Sequence, residues 1–370
     1  MNIEVRDRKG VVRATPVKQK VFDCDIHPRI KSEKDLYPFL EQRWQRHLET
    51  FGFLSRQGFM GGKAYPKSTP HASRRDSWPP GGGGPGSDLP FMRKQLLDGY
   101  GVEFGILNYV GPTGQILQNQ DFGAAYCRAI NDWLAAEWTS KEKRLKASIV
   151  VPYENPEAAI AEIERWAGNP DFVQIVFQSR SAEPYGQRRY RKIFEAAVAA
   201  NLPVGIHAFG FGGQPITAGG WPSYYIEDMV NHAQSAQSFL TSLVIEGVFE
   251  QFPKLRLVAI ETGFGWLPAL CWRLDKIWKR LKQETPHLKR LPSEYIREQV
   301  WVTTQPMEEP EPREHLLDTI EWIGWDRLLY SSDYPHWDFD DPTQAIPLRI
   351  SDENRQKIFL TNALKLYGLG

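Results

Sequence analysis

The chain has little cysteine, and what it has is scattered: Cys24, Cys127 and Cys271 are the only three in 370 residues. That excludes a disulfide scaffold and a paired-cysteine metal motif, and it suits a reducing compartment. It also lacks an excess of charge of either sign, since Lys plus Arg and Asp plus Glu both number 45. No electrostatic footprint for nucleic acid or an anionic membrane is left, so the expected partners are a small-molecule substrate and other protein chains. Long apolar runs are missing as well. Residues 1–20 are polar and mixed in charge, without the apolar core of a signal peptide, and no later stretch reaches membrane-spanning length. A soluble, cytoplasmic protein is expected. The run Pro79-Pro80-Gly81-Gly82-Gly83-Gly84-Pro85-Gly86 is not followed by the Lys-Ser or Lys-Thr of a phosphate loop. It reads as a surface or lid loop.

What is present is a rhythm. Short apolar, β-branched runs alternate with stretches whose apolar residues recur at three and four, the pattern of strands alternating with helices. Strands are predicted at an opening run from Val21 and then at Phe104–Val110, Lys146–Pro152, Phe172–Gln178, Pro203–Phe209, Leu255–Thr262, Val300–Thr304 and Leu328–Asp333. Helices are predicted over 36–48, 121–139, 155–167, 188–200, 225–249, 265–282, 312–322 and 352–366. The strands are mostly continuous apolar runs rather than alternating ones, as expected when both faces are buried. Eight such units point to one α/β domain over residues 1–370, a (β/α)8 TIM-type barrel with a long insertion at 29–90 after strand 1. An open doubly wound sheet would carry a glycine fingerprint after its first strand, where this chain has Asp25-Ile26-His27-Pro28.

Barrels keep their chemistry at the carboxyl ends of their strands. Here those ends carry Asp25 and His27, spaced so that both project from one face, His207 on strand 5, Glu261 on strand 6 and Asp333 on strand 8. Two imidazoles with carboxylates form a mixed nitrogen and oxygen site for a divalent metal with open positions. Asp333 can touch such a metal and also take a proton from its bound water. His232 lies on the helical stretch after strand 5 and is a further acid-base candidate. Arg180 past strand 4, Trp221 and His336 are candidates for substrate binding, Arg180 as a clamp on a carboxylate. Such a site can hydrolyse or decarboxylate, and with iron it can also activate dioxygen.

The Asp-x-His opening, Pro203-Val-Gly-Ile-His207, Gly247-Val-Phe-Glu-Gln-Phe-Pro-Lys-Leu-Arg-Leu-Val, Glu261-Thr-Gly-Phe-Gly-Trp-Leu-Pro and Tyr330-Ser-Ser-Asp333-Tyr-Pro-His336-Trp-Asp resemble the amidohydrolase-related branch of the amidohydrolase superfamily. This is the branch that includes the aminocarboxymuconate-semialdehyde decarboxylase type. The resemblance implies a distorted barrel binding one divalent ion (zinc, manganese or iron), with room for a second, through Asp25, His27, His207 and Asp333. It also implies catalysis by Asp333, Glu261 or His232, and hydrolysis or non-oxidative decarboxylation of a small carboxylated molecule. Three departures from the family pattern bear on this. Many relatives open with His-x-His, and the aspartate here favours harder ions. Strand 4 ends in Phe177-Gln178, without the lysine that bridges two metals in some relatives. Decarboxylases of the branch keep a histidine where this chain has Glu261. Some similar sequences with an Asp-x-His opening look like subunits of non-haem iron or manganese oxygenases, of the aminoisobutyrate hydroxylase type. That leaves an oxygenase subunit, or its catalytically silent partner chain, as the alternative. Either a homo-oligomer or a hetero-oligomer with a homologous subunit is expected.

Overall fold

The computed structural model describes residues 19–52, 70–111, 119–208 and 215–370, together with the backbone of two short antiparallel strands at Glu4–Arg6 and Val12–Ala14. Eight parallel strands follow in chain order: β1 (Val21–Ile26), β2 (Val102–Leu107), β3 (Leu145–Val150), β4 (Phe172–Gln178), β5 (Val204–His207), β6 (Leu257–Ile260), β7 (Val300–Thr303) and β8 (Leu328–Leu329). Each pairs with the next. The ring is brought together where the Cys24 amide donates to the Tyr330 carbonyl at 3.0 Å and the His27 amide to Tyr334 at 2.8 Å. This is the expected (β/α)8 barrel, and β1, β3 and β4 are buried along their whole length, as strands covered on both faces are.

The helices used below are α1 (Gln42–Phe51), α2 (Gln120–Leu134), α3 (Pro156–Trp166), α4 (Arg191–Ala199), α5 (Tyr225–Ile245), α6 (Leu267–Leu281), α7 (Pro292–Gln299), α8 (Glu314–Ile323) and α9 (Asn362–Tyr367). Two begin on side-chain caps that the sequence encodes. Asn119 accepts from the Phe122 amide, and Asn155 accepts from the Ala158 amide with Pro156 in the first turn.

Four departures from the expected elements stand out beyond shifts of a few residues at strand and helix ends. The helix predicted over 36–48 is a 3-10 turn at Glu33–Phe39 that contains Pro38, followed by α1, with an extended Leu40 between them. The helix predicted over 225–249 stops at Ile245, because Gly247 takes a left-handed backbone (φ 78°) before a short turn at Val248–Gln251. The predicted strand 8 ends at Leu329, short of Asp333, and α7 has no counterpart among the predicted helices. Phe209, the expected end of strand 5, lies outside the described residues, as do residues 53–69 of the insertion.

Two apolar clusters hold the barrel. The larger one fills the space between strands and helices. The smaller joins Phe22, Cys24, Ile106, Val258, Ile260 and Leu329 of the strands to Ala363, Leu366 and Tyr367 of α9. α9 therefore closes the amino-terminal end, where Arg256, just ahead of β6, also donates to the Leu366 carbonyl at 2.8 Å. Among the described residues no helix is long and apolar enough to cross a membrane.

Candidate active site

At the opposite, carboxyl-terminal end the strands present acids and imidazoles. His27 lies one residue past β1, His207 is the last residue of β5, Glu261 follows β6 and Asp333 lies four residues past β8. Their ligand atoms converge. His27 Nε2 is 2.8 Å from Asp333 Oδ1 and 3.4 Å from Asp25 Oδ1. His207 Nε2 is 2.9 Å from Glu261 Oε2 and 3.5 Å from Asp25 Oδ2. Two overlapping donor sets result, Asp25, His27, His207 and Glu261 on one side and His27, Glu261, Asp333 and His336 on the other. Asp25, His207 and Asp333 have no solvent exposure. Glu261 and Asp333 both adopt left-handed backbone, with φ of 55° and 60°. Non-glycine residues pay for that conformation, and the surrounding structure must hold them in it.

The geometry tests whether a cation fits. His27 Nδ1 lies 2.9 Å from the Asn108 carbonyl, which can only accept, so the proton sits on Nδ1. The Nε2 lone pair of the neutral ring then faces a carboxylate oxygen, two acceptors that need either a shared proton or a cation between them. Asp25 Oδ2 is buried with no hydrogen bond. A divalent ion satisfies both conditions, and a histidine bound at one nitrogen and anchored to a carbonyl through the other is the usual arrangement around such ions. These donors fit a metal.

Electrostatics agree. Burial alone would raise the Asp25 carboxyl and lower the two histidines, but the groups outweigh it mutually. The imidazoles of His27 and His207 hold Asp25 below the ordinary carboxylate range. Against burial, Asp25 and Asp333 push His27 well up, and Asp25 with Glu261 raises His207 to about 9. Asp333 is likewise held down, by His336 and His27 against burial. Negative charge gathered in this way favours whatever cation is offered.

Of the other expected site residues, His232 projects inward from α5, buried, with Nδ1 3.6 Å from Glu261 Oε1 and no hydrogen bond at that nitrogen among the described residues. Burial lowers its basicity. His336 donates from Nδ1 to Asp333 Oδ1 at 2.6 Å and stacks on His27 with ring centroids 4.5 Å apart, so it touches the aspartate directly. Arg180 lies beyond β4, facing Asp228 of α5. Trp221 stands half-buried in the segment that leads into α5. His71, given no part by the sequence, comes near the rim: its neighbour Ala72 accepts from the Trp337 amide at 2.8 Å, and Arg74 donates to the Pro335 carbonyl at 3.0 Å.

Sequence reasoning missed a set of neutral amides and hydroxyls beneath the acids. Asn108 donates from Nδ2 to Asp25 Oδ1 at 2.8 Å. Its own oxygen accepts from Ser148 Oγ at 2.7 Å and from Gln174 Nε2 at 3.3 Å, and Tyr367 of α9 donates to Gln174 Oε1 at 2.9 Å. Each donor and acceptor in this series fixes the next, so the phenol at the floor sets the orientation of the amide that holds Asp25. On the other side Asp23, pushed up to about 7 by burial, accepts from the amide and hydroxyl of Ser332 beside Asp333. Gln305, two residues past β7, links Asp333 to Asp338, whose carboxyl burial and the neighbouring acids raise to about 9. The available signal was position: Asn108 and Gln305 occupy the same strand ends as the acids.

Residues 22–369 match the family model described as Amidohydrolase. The chain belongs to the amidohydrolase family. Among curated relatives of this amidohydrolase are gamma-resorcylate decarboxylases. The one from a Rhizobium species is 27% identical over 300 residues, covering 76% of this chain and 88% of the relative. A Rhodococcus jostii counterpart is 26% identical over 303 residues with the same coverages. Solved structures of similar fold include 2,6-dihydroxybenzoate decarboxylase from Rhizobium, with TM-score 0.68, 23% identity, and 95% and 99% of the two chains covered. Another is 5-carboxyvanillate decarboxylase from Novosphingobium aromaticivorans, complexed with manganese and a nitrobenzoic acid, with TM-score 0.72, 21% identity, and 94% and 96% covered.

Proposed function

We propose that this amidohydrolase is a metal-dependent carboxy-lyase that removes CO2, without oxidation, from a small aromatic carboxylate carrying a ring hydroxyl. The observation that carries the reading is the buried convergence of Asp25, His27, His207 and Glu261, with Asp333 2.8 Å from His27, on a chain whose curated relatives are decarboxylases of such acids. Asp25, His27, His207 and Asp333 would hold the ion, and manganese is the first to try given the aspartate at position 25. When bound, the ion supplies a Lewis acid that fixes the substrate's anionic oxygens and withdraws electron density from the ring.

The remaining work falls to side chains. The C–C bond to the carboxylate breaks, CO2 leaves, and its electron pair becomes a new C–H bond at the ring carbon, so one proton must be delivered there. Asp333, which His336 holds in place, is the carrier we assign. Glu261 occupies the position of the branch's usual histidine, and His232 beside it supplies an imidazole from a different element. The described part of the insertion, with Trp78 and His71 near residues 335–337, would cover the mouth and exclude water. A soluble, cytoplasmic enzyme goes with the three reduced cysteines.

The test is to load the purified chain with Mn²⁺ and follow CO2 release from 2,6-dihydroxybenzoate and 5-carboxyvanillate. Release that stops on chelation and returns with metal is expected. A second reading is favoured by the two overlapping donor sets, which could hold two ions and run oxygen chemistry. Iron at two per chain, with substrate-dependent dioxygen uptake and no CO2, would replace the first reading with this one.

A further inference from the structure

The end of the proline- and glycine-rich run at 79–86 is packed against the metal cluster. Pro85 and Gly86 are both buried. Gly86 has φ 76°, and its carbonyl accepts from the amide of Arg29, two residues after His27, at 2.9 Å. A methyl group built on its Cα would lie 2.3 Å from the His27 carbonyl oxygen and 3.4 Å from Pro335 Cγ. Pro335 stands between Asp333 and His336. Both the left-handed backbone and the narrow gap therefore call for glycine here. Relieving the 2.3 Å contact needs a shift of about 1 Å. Ligand distances around a bound ion vary by only about 0.2 Å.

The same stretch of chain has a second hold. The Trp337 amide donates to the Ala72 carbonyl at 2.8 Å and the Arg74 amide to the Pro335 carbonyl at 3.0 Å, so that Ser73 and His336 form an antiparallel bridge. Ser77, fully buried, steadies this turn by donating its hydroxyl to the Arg74 carbonyl at 2.8 Å. Residues 72–86 thus form a strap with one grip on the backbone after β1 and another on the backbone after β8. The barrel needs a tie at this seam. β8 is two residues long, and among the described residues only the Cys24–Tyr330 and His27–Tyr334 backbone hydrogen bonds cross from its segment to β1. His27 lies on one side of the seam and Asp333 and His336 on the other, with His27 Nε2 2.8 Å from Asp333 Oδ1.

We propose that the 72–86 strap, through Gly86, positions the metal centre: it fixes the spacing of His27 from Asp333 and His336 across the seam and so sets the affinity for the ion. Gly86 is a positioning residue, since it acts through the backbone of His27 and touches no ligand atom itself. The inference rests on the reading of the buried acids and imidazoles as a metal site. The loop supplies comparisons of its own. Gly82 is also left-handed, with φ 86°, but a methyl group there meets nothing within 4 Å. At Gly84 it would meet Arg29 Cδ at 3.0 Å, part of a flexible side chain that can move aside.

Chelator competition for Mn²⁺ across these three glycines tests the role without any turnover. Gly86→Ala is expected to weaken Mn²⁺ binding by about tenfold or more, while Gly82→Ala and Gly84→Ala stay within about twofold of the parent. Gly82→Ala should still lower the melting temperature of the metal-free chain by about 2 °C, so that backbone strain alone is seen to leave the ion untouched. A Gly86→Ala chain that melts lower but keeps its Mn²⁺ affinity within about twofold makes the strap purely structural and overturns the proposal. An equal loss of affinity in Gly82→Ala does the same. Where Gly86→Ala does not fold, Ser77→Ala loosens the other grip and should weaken Mn²⁺ by about threefold; unchanged affinity there also overturns it. Hydrogen exchange on the metal-free chain separates this proposal from the metal reading. In Gly86→Ala the amides of His27 and Trp337 should both exchange about tenfold faster, and faster exchange confined to residues 80–88 overturns the positioning role. If the parent binds no divalent ion, the metal reading fails, while faster exchange at both segments still supports the strap as the tie across the seam.

Discussion

The two ends of the barrel are made from the same strands and obey opposite rules. At the amino-terminal end, α9 presses Ala363, Leu366 and Tyr367 onto Phe22, Cys24, Val258 and Leu329, and apolar burial closes the floor. At the carboxyl-terminal end, the residues that continue those strands are acids and imidazoles, buried without a lysine or arginine among them, and two take left-handed backbone. The floor gains stability from what it buries, while the mouth gives stability up to hold an arrangement that a cation completes. Between them runs a polar series from Tyr367 through Gln174, Ser148 and Asn108 to Asp25.

Substitutions can break this contrast. The largest effect is expected from Asp25→Ala or His207→Ala, which should lose stoichiometric Mn²⁺ and lower CO2 release by about 10³-fold or more, measured by metal analysis and product formation. The fold should remain, since the mouth is not what holds it. Leu366→Ala should do the reverse, costing about 2–5 kcal/mol in a denaturant titration while turnover at permissive temperature stays near the parent's. Asn108→Ala joins the two ends. It frees Asp25 from its amide, so Mn²⁺ affinity by chelator competition should fall about 10–100-fold. Tyr367→Phe should reproduce a weaker version of that loss from the floor.

The smallest effect concerns pH. Asp340 has a buried Oδ2 with no hydrogen bond, and burial raises its carboxyl to about 7. A carboxyl whose pKa is higher folded than unfolded favours the fold fully at low pH, and loses that contribution as pH rises through about 7. Asp340→Asn should therefore raise the melting temperature by about 2 °C at pH 8 and leave it little changed at pH 5, by differential scanning calorimetry. Equal shifts at both pH values would mean that the carboxyl is not protonated in the folded chain.

How far the sequence could be read differs between these ends for a physical reason. Strand ends that carry Asp25, His27, His207, Glu261 and Asp333 are visible in one dimension, because a strand of continuous apolar residues followed by a ligand is a local pattern. Helix starts at Asn119 and Asn155 are local too. The break at Leu40, the stop at Gly247 and the short β8 are less legible, since each depends on which backbone conformation the neighbouring elements impose. Asn108, Ser148, Gln174 and Tyr367 read singly as ordinary polar residues in four different elements. Nothing in their spacing says that they touch.

From the residues alone follow the alternation of strands and helices, the barrel, and the end of it at which charge collects, because these rest on periodicity and hydrophobic burial. Tertiary structure alone decides which partners each group meets. It turns His336 toward Asp333, brings His232 to Glu261, and orients Asp25 through a phenol on the last helix. Hydrogen bonding and electrostatics act over a few ångströms between atoms far apart in the chain, and only the closed barrel brings those atoms within range.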